Sequence, residues 1–417
     1  MSKKSFINLL PGFIVKPGHV LIVELNKLAR RQKSKTYRIV QNPEKELHVV
    51  HQVKGPTWEE ICYPECYGHS KEMHLTVFSP AEFIFEEKNA IINANSDAVI
   101  TDKGVYWDKF NQEEFVTWAK PADSNVAWFD RESIGILREN KQQRIEGKVL
   151  SLIGLWSYHW AHCLFEFLPK LFSAGEAGLL DSPITILVVE NEDGNIKEII
   201  NNYLKDFPNA KIYYVQNHID YICDELYFLP SPGPNYCDYK FRLDYIEYIP
   251  QYVIDSIHRY VVAPIIDKIK DNKTKYEKIF MPRNKAFTHT GKYLKNYDEV
   301  HDYFMSLGYV DVEGSTMTLE EKADVFYHAK EVVGMFGSAL FNLIFCNQAK
   351  CISLSNYKFV TETVELIMAR NYVSKMVTIT GQDDNSDYGS NFYIPLEKIK
   401  RAYKDIMLGE ENNKSND

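Results

Sequence analysis

The 417-residue chain has no long hydrophobic run: no stretch approaches the ~20 uninterrupted apolar residues of a membrane span. Cysteine is scarce. Seven of them, an odd number at irregular spacing, fit reduced thiols in a cytosolic chain and exclude a disulfide framework. Cys62, Cys66, His69 and His74 superficially resemble a zinc site, but their spacing matches no standard knuckle, so free thiols and no metal are expected. Positive charge is also short. A formal net charge of -9 excludes a broad nucleic-acid surface. The one basic cluster, LARRQKSKTYR at 28–38, reads as a solvated segment, with contact to an anionic membrane or polymer as the alternative. The N-terminus begins like a signal peptide, but Pro11 and Gly12 interrupt its apolar run and no small-residue cleavage site follows. The expectation is a cytoplasmic protein, with peripheral association at the inner face of the plasma membrane as the variant.

What is present is an ordinary globular composition, 45% hydrophobic and 25% charged, long enough for two or three domains. Residues 1–145 are irregular, with short β-like runs between turn signals, and read as a β-rich N-terminal extension packed on the first domain. From about 146 strands and helices alternate: KVLSLIG, then a helix over SYHWAHCLFEFLPKLFSAGEAG, ITILVVE, a helix at NIKEIINNYLKDF, KIYYVQ and DELYFLP. The Pro/Gly-rich 230–239 stretch is loop, and a long helix over roughly 244–270 leads into a second alternating series. There KIFMPR, YVDV, EVVGMFG and KCISLS are strands. NYDEVHDYFMSLG, TLEEKADVFYHA (capping box Thr318–Glu321) and SALFNLIFC are helices. Short strand–helix connections mean parallel sheets covered on both faces. The expected units are therefore 146–270 and 271–390, two Rossmann-like domains facing a cleft. An amphipathic last helix packing across both and a frayed tail complete the chain at 391–417.

Three segments carry chemistry. In the first expected helix His159, His162, Glu166 and Lys170 recur at offsets of three and four and share a stripe, at the carboxyl edge of the sheet where open α/β sheets bind ligands. A histidine with a glutamate one turn away is an oriented general base. Pattern alone fits an ordinary surface His–Glu contact equally well. In the second, VVGMFGSALFN (332–342), glycines end a strand and Ser338 begins a helix, so free backbone N–H groups would meet an anion, tight packing being the alternative. Asn342 reads as a structural hydrogen-bonder or a ligand contact. In the third, Arg283 ends a strand and Lys285, His289, Lys292 and Lys295 follow in a loop, a diphosphate cradle or a solvated basic loop.

Taken together and in this order, the segments resemble glycosyltransferase family 61, over roughly residues 148–360. The first motif, an aromatic pair, His and then LFE-x-LP-[RK]-L, is met by WAHCLFEFLPKL with His162 and Glu166 in its register. The second block is met by Arg283, Lys292, Asn296, Val300 and Gly308–Tyr309, and the third by Leu319, Glu321, Phe326, Ala329, Gly334, Gly337, Leu340, Asn342 and Phe345. Four positions depart: Phe336 stands for the family's His, Ser338 for an Ala, and Tyr297 and Ser353 for two Glu.

The resemblance implies a GT-B fold and inverting transfer from a nucleotide sugar to an oligosaccharide or lipid-linked glycan in bacterial capsule or surface polysaccharide synthesis. No metal or other cofactor would be required; the nearest approach to an Asp-x-Asp pair is Asp311-Val312-Glu313. It assigns His162 as base, Glu166 as its orienter and His159 as the reserve candidate. The donor would meet Arg283, Lys292, Asn296, Glu321, Gly334, Gly337, Ser338 and Asn342. Loss of the His and the strand Glu at Phe336 and Ser353 points to a changed donor, or to a rival reading as a non-catalytic scaffold subunit. Another sugar-nucleotide enzyme, such as an epimerase or a pyruvyl-type transferase, is the second rival.

Overall fold

A computed structural model describes residues 26–63, 65–67, 73–107, 123, 125–190, 194–232, 248–273, 276–283, 293–356, 372–383 and 391–409. The expected loop residues Lys285, His289 and Lys292, and His69 of the zinc-like group, lie outside them.

The chain is mixed α/β and builds two large sheets. In the first, Ala210–Val215, Ile184–Val189, Lys141–Ser151 and Ile219–Phe228 run parallel in that spatial order. Of these, Ile184–Val189 is a near-continuous apolar run, as suits a strand covered on both faces. Glu82–Asn93 then joins antiparallel to Ile219–Phe228, followed by Ala98–Thr101 and Gly104–Trp107. In the second sheet Val310–Asp311, Lys278–Met281, Glu331–Met335, Ala349–Asn356 and Val373–Asp383 are all parallel, with Phe392–Tyr393 antiparallel at the edge.

The residues before 145 are not an extension packed on the first sheet: they supply its antiparallel strands and also reach the second sheet. Glu65–Cys66 pairs with Val377–Thr378 of the second, and the Tyr67 hydroxyl donates to Asp405 at 2.5 Å. Helices from both series share one apolar core, in which Leu164, Leu171 and Phe172 join Phe326, Leu340 and Phe345. The last helix, Leu396–Tyr403, does not span both halves: its buried Ile399, Ala402 and Tyr403 belong to a core built on the second sheet with Val300 and Phe304.

Two expected α-helices take other forms. The first begins at Trp160 rather than near Ser157, leaving His159 outside as the N-cap. It then widens into a π-helix at Cys163–Phe167 before resuming as α at Leu168–Glu176. Pro169 is the physical reason. It has no N–H to give, and its ring would clash with the carbonyl four residues back, so the preceding turn opens to i→i+5 bonding. The same device recurs at His258–Val262, where Pro264 follows the π turn at the same offset. The stretch Ser338–Phe345 is a 3-10 helix, with Leu340 N donating to Gly337 O at 2.9 Å. Thr318 and Glu321 do form the capping box.

Candidate active site

The strand Lys141–Ser151 delivers the chain to a turn at 154–159 and then to the Trp160 helix. Gly154 is required there. A Cβ would sit 2.2 Å from Asp97 Oδ1 and 2.7 Å from the Phe167 ring. Asp97 Oδ1 accepts from Leu155 N at 3.0 Å, which pins the turn to the N-terminal region. Trp156 has φ +64, a conformation that costs a bulky L-residue about 1–2 kcal/mol. Its indole lies 4.9 Å from the His162 ring at a 35° tilt. Trp156 is a candidate site residue that sequence reading misses, because no residue type signals a left-handed tryptophan.

His162 Nδ1 is hydrogen-bonded to Glu166 Oε1 across one helical turn. The carboxylate side chain is 12% exposed and the imidazole 34%, so the acid is sheltered while the ring remains reachable. With Nδ1–H held by the carboxylate, Nε2 carries the lone pair. His159 is exposed at the helix start, its ring 4.4 Å from Tyr158 and 6.3 Å from His162. Partial desolvation and then the proximity of His162 hold its pKa below the usual histidine value. The expected polar stripe is not a solvated face: Glu166 and Lys170 are both buried, and the Lys170 ammonium lies 4.7 Å over the Phe167 ring.

On the second sheet, Lys278–Met281 and Glu331–Met335 are adjacent, with Met281 opposite Gly334. Their carboxyl ends therefore bring Arg283 beside the Gly337 turn. Arg283 Nη1 donates to the Phe336 carbonyl at 2.8 Å. Gly337 has φ +143, and a Cβ on it would lie 3.1 Å from that nitrogen, so conformation and close approach both call for glycine. Burial lowers the Arg283 pKa from its usual value, and its Nε has no hydrogen-bond partner among the described residues. Ser338 is exposed at the start of the 3-10 helix. Asn342 is buried, its amide nitrogen facing Gly314 and its oxygen unpartnered among the described residues.

Other expected donor residues stand elsewhere. Asn296 caps the Tyr297–Ser306 helix and donates to Ile394 O and Glu299 Oε2, both at 2.9 Å. Glu321 accepts from Thr318 N and Oγ1. Gly334 lies within its strand, packed on the Met281 side chain. Phe336 and Ser353 are both buried, Phe336 in the shared core and Ser353 on a central strand.

The two halves of the site touch. Trp160–His162 packs on the Ser338–Phe345 helix, and Phe165 meets Phe341 with ring centroids 4.9 Å apart, a contact worth about 0.5–1.5 kcal/mol beyond its buried area. The Lys322 ammonium sits 4.3 Å over the Trp160 ring, a second tie between halves. Among the described residues no three His, Cys, Asp or Glu converge as a metal-binding group. Cys62 and His74 face each other across a ladder, with Sγ to Nε2 3.5 Å, while Cys66 points to Thr380 on the second sheet.

No curated protein matches the chain. The family model described as Glycosyltransferase 61 matches residues 160–353, a span that opens on Trp160, takes in His162, Glu166, Arg283 and the Gly337 turn, and closes on Ser353. Residues 160–353 thus match a glycosyltransferase family 61 domain, which supports glycosyltransferase activity; the family implies a nucleotide-sugar donor and a glycan acceptor.

Proposed function

We propose that the protein is an inverting, metal-independent glycosyltransferase of GT-B type. In this reading the first sheet and its helices form the acceptor half, the second sheet forms the donor half, and the N-terminal strands lean on both. The observation that carries it is the juxtaposition of an oriented His162–Glu166 pair with the Arg283–Gly337 turn. His162 Nε2 takes the proton from an acceptor hydroxyl as its oxygen bonds to the anomeric carbon. The bond from that carbon to the donor diphosphate breaks on the opposite side, and its electron pair leaves with the diphosphate. Glu166 keeps the imidazole in the right tautomer and stabilises the imidazolium. The departing charge meets the Arg283 guanidinium and the N–H groups opening the 3-10 helix. An Arg and a helix start supply that charge stabilisation without a metal.

The setting we propose is bacterial capsule or surface polysaccharide synthesis at the cytoplasmic face of the membrane. Among the described residues no helix is long and apolar enough to cross one. One observation favours a second reading, a binding or scaffold subunit: Phe336 and Ser353 replace polar family residues and are walled into the core. A panel of nucleotide sugars separates the two. The transferase reading expects thermal stabilisation by at least one of them and release of its nucleotide in the presence of acceptor; silence across the panel favours the scaffold.

A further inference from the structure

A cavity of about 690 Å³ lies between the N-terminal ribbon and the start of the Gln251–Ile257 helix. Its size is that of a small-ligand site. The ribbon pairs Thr57–Tyr63 with Met73–Ser79, placing Trp58 opposite Phe78. Their rings meet edge to face at 5.4 Å, yet Trp58 is 68% exposed and Phe78 54%. The cavity is lined by Trp58 together with Lys54, Glu59, Glu60, Gln251 and Tyr252. Glu59 anchors the ribbon to the helix, accepting from Gln251 N at 2.8 Å.

The lining selects among ligand classes. Two carboxylates oppose a phosphate or nucleotide, and Lys54 is already engaged with Ser79 Oγ at 2.7 Å and Pro80 O at 2.6 Å. The same charges oppose a lipid tail. A sugar ring fits both features, since its C–H face stacks on an indole while its rim of hydroxyls donates to carboxylates and accepts from amides.

The cavity also adjoins the chemistry. Tyr252 donates its hydroxyl to Glu82, whose carboxyl feels the charges of Lys54, Glu59 and Lys170. Lys170 is on the helix of His162 and Glu166, and the Gln251–Ile257 helix packs on that helix. The ribbon lies outside the family-matched residues 160–353.

We propose that this cavity is a second glycan-binding site, holding sugars of the acceptor chain away from the reacting hydroxyl, with Trp58 as stacking face and Glu59, Glu60 and Gln251 as hydroxyl partners. The proposal rests on the glycan acceptor of the transferase reading. The test exposes the full chain to a printed array of bacterial and synthetic oligosaccharides. Glycans retained by the wild type are then titrated against Trp58→Ala and Glu60→Gln, both at exposed positions. Thermal stabilisation by nucleotide sugars is read on the same preparations. The expected result is glycan binding weakened about tenfold in Trp58→Ala, and less in Glu60→Gln, with nucleotide-sugar stabilisation unchanged. Retention unaffected by either substitution, or no glycan retained by the wild type, overturns the proposal; nucleotide-sugar stabilisation then shows that the transferase reading survives. A change in sedimentation of Trp58→Ala without a change in glycan binding assigns the face to a protein partner and also overturns it. Glycan retained without any nucleotide-sugar stabilisation fails the transferase reading and with it the acceptor role.

Discussion

The two halves of the site are built from different materials. The first presents side chains: His162 and Glu166, held by a helix opened at Pro169 and backed by a left-handed Trp156. The second presents mostly backbone: the Gly337 turn and the first N–H groups of a 3-10 helix, with Arg283 laid against the turn. In the proposed reading, the difference accounts for the positions at which the chain departs from the family pattern. On that reading, a backbone cradle tolerates loss of neighbouring side chains, so Phe336 and Ser353 can be buried as core without dismantling the turn. A side-chain base tolerates no such loss.

The sharpest break of that comparison is His162→Ala. Removal of the proposed general base is expected to lower kcat by about 10²–10⁴-fold with donor stabilisation intact. His159→Ala should do far less, and the reverse ranking in a transfer assay would move the base to His159. On the backbone side, Arg283→Ala deletes one charged contact together with its hydrogen bond to the Phe336 carbonyl. Donor affinity should fall about ten- to a hundredfold by calorimetry, and an unchanged affinity would take Arg283 out of the donor site.

Next comes Trp156→Asn, which keeps a residue that accepts positive φ but removes the ring beside His162. We expect kcat to fall about tenfold at constant donor KM, with the thermal midpoint nearly unchanged because lost strain offsets lost packing. A fall in stability without a fall in kcat would make Trp156 a packing residue only.

The smallest effect concerns pH. Burial pushes the Glu82 carboxyl from 4.5 up to about 7, against the lowering effect of the Tyr252 hydroxyl and Lys54. A raised carboxyl pKa favours the protonated fold, so this contribution is complete below about pH 4.5 and lost as pH rises through about 7. Glu82→Gln should flatten the thermal-stability profile across that window. A slope identical to wild type would show that Glu82 does not titrate there.

The strand–helix alternation, the capping box at Thr318 and the pairing of His162 with Glu166 were legible because each is local and periodic. Pro169 was legible too, yet its consequence, a π turn beneath Glu166, depends on how the helix relieves a missing donor. The helix start at Trp160 and the 3-10 form of 338–345 depend on tight turns whose geometry is set from outside, by Asp97 on Leu155 and by Arg283 on Phe336. Glu65–Cys66 carries no local signal, since its partner strand lies some three hundred residues away. Asn296 shows the opposite limit: the motif marks its position, whereas the structure shows its amide spent on Ile394.

That short strand also bears on how the chain is made. Cys66 meets Thr380 across 314 residues and Tyr67 meets Asp405 across 338. A ribosome emits the first of each pair long before the second exists, so the N-terminal strands must wait, unpaired on that side, until the last sheet emerges. Closing such long loops is slow. Synthesis order thus makes the second sheet the final lock on the N-terminal region, and a chain truncated before residue 373 should leave Glu65–Cys66 as an open edge.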